Sequence, residues 1–223
     1  MVEVSGWPII EHQIRAYLSA GAKIEEIVVV LGHKSQIATD FLYSKYHGIR
    51  VIINNEYAET NNMYSLYLAL EKINMDKKFE LFLSNGDCIY DPDIIKTLFS
   101  IKFSCIAADK STFSDENMKI TLNEDKTITS ISKDISKDHA YGNSIDLYHF
   151  SYNDVLIFEK EIRRIINQEN DYSQWTELAI NAILPKTKIS LFEINRKSWV
   201  EIDNHEDLKL AKKMFQSDTN PQW

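Results

Sequence analysis

Two carboxylate stretches, Asn85-Gly86-Asp87 and Glu201-Ile202-Asp203, offer the clearest opening for chemistry in this 223-residue chain. Asp87 follows an apolar run at 80–84 that reads as a strand. In an open parallel sheet, ligands bind in the crevice beyond the carboxyl ends of the strands. A carboxylate there, beside a glycine that admits a ligand to the backbone, suits a hard divalent cation such as Mg²⁺, which can carry nucleotide phosphates. A turn or capping aspartate is the competing reading, and the motif alone does not choose. Asp203 could be a second metal carboxylate, since one aspartate seldom holds Mg²⁺ unaided. Yet Asp203-Asn204 also stands just before a helical pattern, where capping is the simpler role.

Other polar clusters carry weaker signals. Thr60-Asn61-Asn62-Met63-Tyr64-Ser65 opens a helical pattern, where free backbone N–H groups attract anions and paired asparagines can bond a base or sugar edge. N-capping needs only one of these side chains. Lys119 and Lys133 could offset charge on a transferring phosphoryl group, although an isolated lysine on a short strand is more often a solvated surface residue. Tyr64, Tyr67, Tyr141, Tyr172 and Trp175, with the acids Asp146 and Glu177 among them, could cage a cationic group; most aromatics at helical spacing are core. His12, His33 and His139 have no partner at metal-ligand spacing and receive no role.

The elements that must position these residues alternate between two hydrophobic periods. Helices are expected at 9–20, 35–46, 62–73, 91–100, 153–168, 174–184 and 205–215. Strands are expected at 26–31, 49–53, 80–84 and 188–194, the first three apolar enough for burial on both faces of a parallel sheet. Short strands at 103–109, 118–122, 127–132 and 145–150 predict an antiparallel extension. The alternation with short connections predicts one α/β domain over 1–216, with the tail 217–223 frayed.

Composition narrows the field further. A net charge of −8 argues against gripping a nucleic-acid backbone. No apolar run is long enough to span a bilayer, and two cysteines cannot make a disulfide framework, so a reducing cytoplasm is expected. The six glycines, at 6, 21, 32, 48, 86 and 142, are scattered, so a clustered-glycine phosphate loop is absent.

In order and spacing, four stretches resemble the nucleotidyltransferases that activate phosphorylated small molecules with a nucleoside triphosphate, above all the bacterial CTP:phosphocholine cytidylyltransferase group. They are Gly6-Trp7-Pro8-Ile9-Ile10-Glu11, similar to the family's GKPLIE; Ile27-Val28-Val29-Val30-Leu31-Gly32-His33; Asn55 to Leu66, the most specific; and Asn85-Gly86-Asp87 with Val200-Glu201-Ile202-Asp203. The resemblance implies a three-layer, Rossmann-like, mostly parallel sheet with an antiparallel extension. It implies Mg²⁺ held by Asp87 and Asp203, and a lysine, Lys119 or Lys133, against the reacting phosphate. Asn61, Asn62, Ser65, Asn85 and Gly86 would lie in the nucleotide and acceptor cleft. Tyr141, Asp146, Trp175 and Glu177 would lie in the acceptor pocket. The partners implied are CTP, as the favoured triphosphate, and a phosphorylated acceptor such as phosphocholine, an aminoalkyl phosphonate or a sugar 1-phosphate. Oligomeric state is not legible.

Against the family pattern, Met1-Val2-Glu3-Val4 resembles the stretch after the family's Pro-Lys pair, so the first strand and the phosphate-cradling loop have no counterpart here. An internal methionine used as a start is favoured over a shortened relative, because the other motifs are intact. Two further readings stand beside the enzyme: a ligand-binding module of the same fold without turnover, and a GT-A-type glycosyltransferase. The latter usually carries two aspartates with one residue between them, whereas Asn85 stands two before Asp87.

Overall fold

The computed structural model describes residues 1–111 and 116–216; the tail expected to fray lies outside them. Its backbone begins with a two-stranded ribbon, β1 (Glu3–Val4) and β2 (Trp7–Pro8), leading into α1 (Ile9–Ala20). Gly21, at φ 107°, ends α1 in the left-handed conformation that glycine adopts at least cost. A short 3-10 turn precedes β3 (Val28–Leu31), followed by α2 (Ser35–Lys45), β4 (Arg50–Ile53) and α3 (Asn62–Leu70). Next come β5 (Leu81–Ser84), β6 (Cys88–Tyr90), α4 (Pro92–Ser100) and β7 (Cys105–Asp109). The second half contributes β8 (Lys119–Leu122), β9 (Ile128–Ser132), β10 (Gly142–Phe150), α5 (Tyr152–Asn167) and α6 (Thr176–Ile183). The chain then forms β11 (Ser190–Glu193), β12 (Trp199–Glu201) and α7 (His205–Met214).

The central sheet runs β11-β7-β10-β8-β9, with β5 paired to the other end of β10. β7 and β11 are parallel, whereas β10 runs antiparallel to β5, β7 and β8. Helices cover both faces. Alternate residues of β7 show why: Ile106 and Ala108 pack with α3, α5 and α6 residues such as Met63, Phe158 and Ile180, while Cys105 and Ala107 pack with Ile94, Ile95 and Leu98 of α4. These are the three layers expected for a nucleotidyltransferase, and β8, β9 and the first part of β10 form the antiparallel extension.

The expectation that β3 and β4 are buried on both faces is corrected. They form a separate parallel pair, and among the described residues neither β3 nor β5 has a hydrogen-bonded strand on its other edge. Val29 packs with Ile14, Leu42 and Ile49, but Arg50 and Ile53 stay exposed, Ile53 at 39%. A pair attached through side chains rather than through a continuous ladder buries less of its surface. Both cysteines are buried and free, and no helix among the described residues is long and apolar enough to cross a membrane.

Candidate functional site

Two strands too short to be recognised from sequence build the first part of the site. β6 and β12 pair antiparallel, with Glu201 opposite Cys88 and the Ile202 N–H bonded to the Asp87 carbonyl at 3.1 Å. This ladder draws the turn after β5 against the Glu-Ile-Asp motif. One carboxylate oxygen from each of Asp87, Glu201 and Asp203 lies within 4.8 Å of the other two. Burial, and then the neighbouring Asp203 charge, hold the Asp87 carboxyl above its usual range. The same causes, with Asp87 added, push Glu201 up to about 7.

Three crowded carboxylates repel one another until a cation joins them, and an all-oxygen donor set suits a hard divalent ion. At Gly86 an added Cβ would meet nothing within 4 Å, so the backbone beside the trio is open to a ligand. The capping question at Asp203 is answered locally. Asn204, not Asp203, caps α7, accepting from the N–H groups of Glu206 and Asp207, while the Asp207 carboxylate accepts from those of Asp203 and Asn204. The Asp203 carboxylate is thereby left out of the cap.

Beside the trio opens a cleft of about 670 Å³, whose walls include Asn62, Asn85, Lys133, Asp146, Trp175, Glu177 and Asp203. At one wall, β10 breaks register between Ser144 and Tyr148, and Asp146 takes a left-handed φ of 55°. The bulge turns the buried Asp146 towards α6, where the Tyr148 hydroxyl lies 3.1 Å from Asp146 Oδ1 and donates to Glu177 Oε1 at 2.5 Å. Burial foremost, and then the nearby Glu177 charge, hold Asp146 far above the normal carboxylate range; burial does the same more mildly to Glu177. Lys133 Nζ sits 4.5 Å from the centroid of the Trp175 ring and 3.8 Å from Glu116 Oε2. Its positive charge works against the rise at both Glu177 and Glu201.

The asparagine-rich segment divides its work. Asn61 caps α3, and its Nδ2 donates to the Ser173 carbonyl at 3.2 Å. Asn62 Oδ1 accepts the Thr176 N–H at 2.9 Å, so the helix start is tied to the 172–176 loop that carries Trp175. Ser65 Oγ accepts from Asn54 Nδ2 at 3.2 Å, away from the cleft lining. Asn85 bonds through its backbone, its carbonyl accepting from Gln13 Nε2 and its N–H donating to the Asp146 carbonyl. Lys119 is buried at 2% exposure, its Nζ 3.2 Å from the Asn117 carbonyl, and is not among the cleft walls. Tyr141 also lies outside the cleft, donating to Glu193 at 2.9 Å beneath the Lys110 ammonium. Glu201 and Tyr148 were missed by sequence reasoning. Glu201 stands in the Glu201-Ile202-Asp203 stretch but had been given no role there; no motif marked Tyr148.

Against known proteins, residues 1–109, just under half of the chain, match the MobA-like NTP transferase domain model. A choline-phosphate cytidylyltransferase of Streptococcus pneumoniae is 40% identical over 74 residues, covering 33% of this chain and 30% of its own. A 2-aminoethylphosphonate cytidylyltransferase of Lancefieldella rimae is 25% identical over 218 residues, covering 93% of this chain and 80% of its own. The chain spans less than half the length of four of the curated relatives it matches, at 17%, 30%, 46% and 46%. In fold, the chain superposes on the CTP:phosphocholine cytidylyltransferase of Streptococcus pneumoniae with a TM-score of 0.75 at 18% identity, covering 96% of this chain and 87% of the other. The molecule therefore has the nucleotidyltransferase fold and counts cytidylyltransferases among its homologues.

Proposed function

We propose that this protein is a Mg²⁺-dependent nucleotidyltransferase. In this reading it moves a nucleotidyl group, CMP from CTP as the favoured case, onto a phosphorylated or phosphonate small molecule and releases pyrophosphate. The observation that carries the reading is the convergence of Asp87, Glu201 and Asp203 beside the cleft. These three carboxylates would hold the ion, which when bound would neutralise phosphate charge. An acceptor phosphate or phosphonate oxygen forms the new bond to the α-phosphorus as the bond to pyrophosphate breaks. Such a transfer depends on positioning and charge stabilisation more than on covalent help from the protein. Lys133, held over Trp175, offers the positive charge for the phosphate oxygens, and the Asn62 tie to Thr176 keeps that wall in place. The relatives named for choline phosphate and 2-aminoethylphosphonate support an acceptor that bears a cation. The buried acids Asp146 and Glu177 in the cleft wall support the same class.

The test is pyrophosphate release from each of four nucleoside triphosphates against a panel of phosphate and phosphonate acceptors. Asp87→Asn is expected to cost on the order of 100-fold in rate, the scale of losing one preorganised electrostatic contact to the transition state. Unchanged release in that variant would remove Asp87 from the metal site. No release with any pair would overturn the enzyme reading, and CTP binding without release would favour a ligand-binding module.

A further inference from the structure

The wall formed by β10 and α6 is short of hydrogen-bond donors. Glu177 is 4% exposed and lines the cleft; its Oε1 is taken by the Tyr148 hydroxyl, but its Oε2 is buried with no hydrogen-bond partner among the described residues. Asp146, 8% exposed, lies beside it, and the same hydroxyl is 3.1 Å from its Oδ1. One hydroxyl proton cannot serve both carboxyls. A buried carboxylate oxygen left unpaired is costly, so the pocket is complementary to something that brings N–H groups. The nearest lysine does not fill this role, because the Lys133 ammonium stands over the Trp175 ring and towards Glu116.

From this we infer that Glu177 Oε2 receives a protonated primary amine on the acceptor, so that the preferred acceptor is an aminoalkyl phosphonate or phosphate rather than a quaternary ammonium compound. A trimethylammonium group has no N–H to offer Oε2 and is recognised instead by open aromatic faces. Here Lys133 stands over one face of the Trp175 ring, and Tyr148 presents its hydroxyl to the acids. The inference rests on the transferase reading and specifies its acceptor.

The test measures dissociation constants of the full chain, in the presence of Mg²⁺ and CTP, for 2-aminoethylphosphonate, phosphocholine and ethylphosphonate. Pyrophosphate release is followed in parallel. 2-Aminoethylphosphonate is expected to bind about 10-fold or more tightly than either of the others, the scale of one charge-assisted hydrogen bond. Glu177→Gln should bring it within about 3-fold of ethylphosphonate, and Glu177→Asp, which keeps the charge at a shorter reach, should fall between. Equal or tighter binding of phosphocholine, or a Glu177→Gln protein that melts like the parent and keeps the amine preference, overturns the inference. If the variants do not fold, the ranking of the three ligands on the parent protein decides it. Release as fast with phosphocholine as with the amine overturns this inference and leaves the transferase reading intact. Absence of release with every acceptor overturns the transferase reading, and the three binding constants still decide the amine preference.

Discussion

Removing Glu201 from the carboxylate trio has opposite consequences with and without a divalent cation. Glu201 moves from an ordinary value of 4.5 to about 7, because burial and the charges of Asp203 and Asp87 disfavour its ionised form. A carboxyl whose folded value lies above its unfolded one binds its proton more tightly in the folded state. It is neutral and harmless below about pH 4.5, and its cost grows as the pH rises through that value and is complete above about pH 7. The difference corresponds to about 3 kcal/mol at 1.36 kcal/mol per unit, but Glu201 retains some solvent contact, and screening reduces this to about 1–2 kcal/mol. Glu201→Gln keeps the shape and removes the charge. In EDTA at pH 8 it should therefore melt about 2–8 °C above the parent, at 2–4 °C per kcal/mol for a chain of this size. The gain should shrink to nothing by pH 4.5. Titrating Mg²⁺ should raise the parent's melting temperature and raise that of Glu201→Gln much less, because one ligand is gone. Thermal denaturation followed by circular dichroism across pH and Mg²⁺ reads all of this. A Glu201→Gln protein less stable than the parent in EDTA at pH 8, or one with the parent's full response to Mg²⁺, would refute the argument that these carboxylates are crowded for a cation.

Two further outcomes follow from the same structure. His149 is fully buried, stacked on Phe82 at 4.4 Å, and burial lowers its value below 6.5 despite the attraction of Glu80. Its titration should contribute nothing above about pH 6.5 and destabilise the protein increasingly as the pH falls below that, so His149→Phe should flatten the acid limb of a pH–stability curve; an unchanged limb would count against a neutral His149. Asn204→Ala removes the α7 cap and should cost about 1 kcal/mol in urea unfolding. It should also weaken the Mg²⁺-dependent rise in melting temperature, because Asp203 is the residue just before that cap; a stability loss with normal Mg²⁺ response would separate the cap from the metal site.

Much of this molecule is legible along the chain. The helix over 9–20 is found where the spacing of Ile10, Ile14, Tyr17 and Leu18 and the stop at Gly21 put it. Asp91 with Pro92 opens α4, the Asp91 side chain accepting from the Asp93 N–H. The four short strands of the second half also appear near their expected positions. These are local matters: periodicity, capping side chains and glycine conformation act within a few residues, so a linear string carries them.

What the chain did not disclose was decided across long separations. β6 and β12 are three residues each, too short for a periodic signal, and their pairing adds Glu201 to Asp87 and Asp203, which the family resemblance had already joined. Of the lysines that motif context left undecided, Lys133 faces the cleft and Lys119 is buried within the sheet, a choice made by the register of β8 against β9 and β10. Tyr141 went to Glu193 and not to the acids, while Tyr148, without any sequence signal, joined Asp146 to Glu177 through a bulge in β10. Local sequence carries the elements and the inventory of acids, amides and aromatics. Folding selects which of them meet, because strand pairing and sheet register join residues that no local pattern relates.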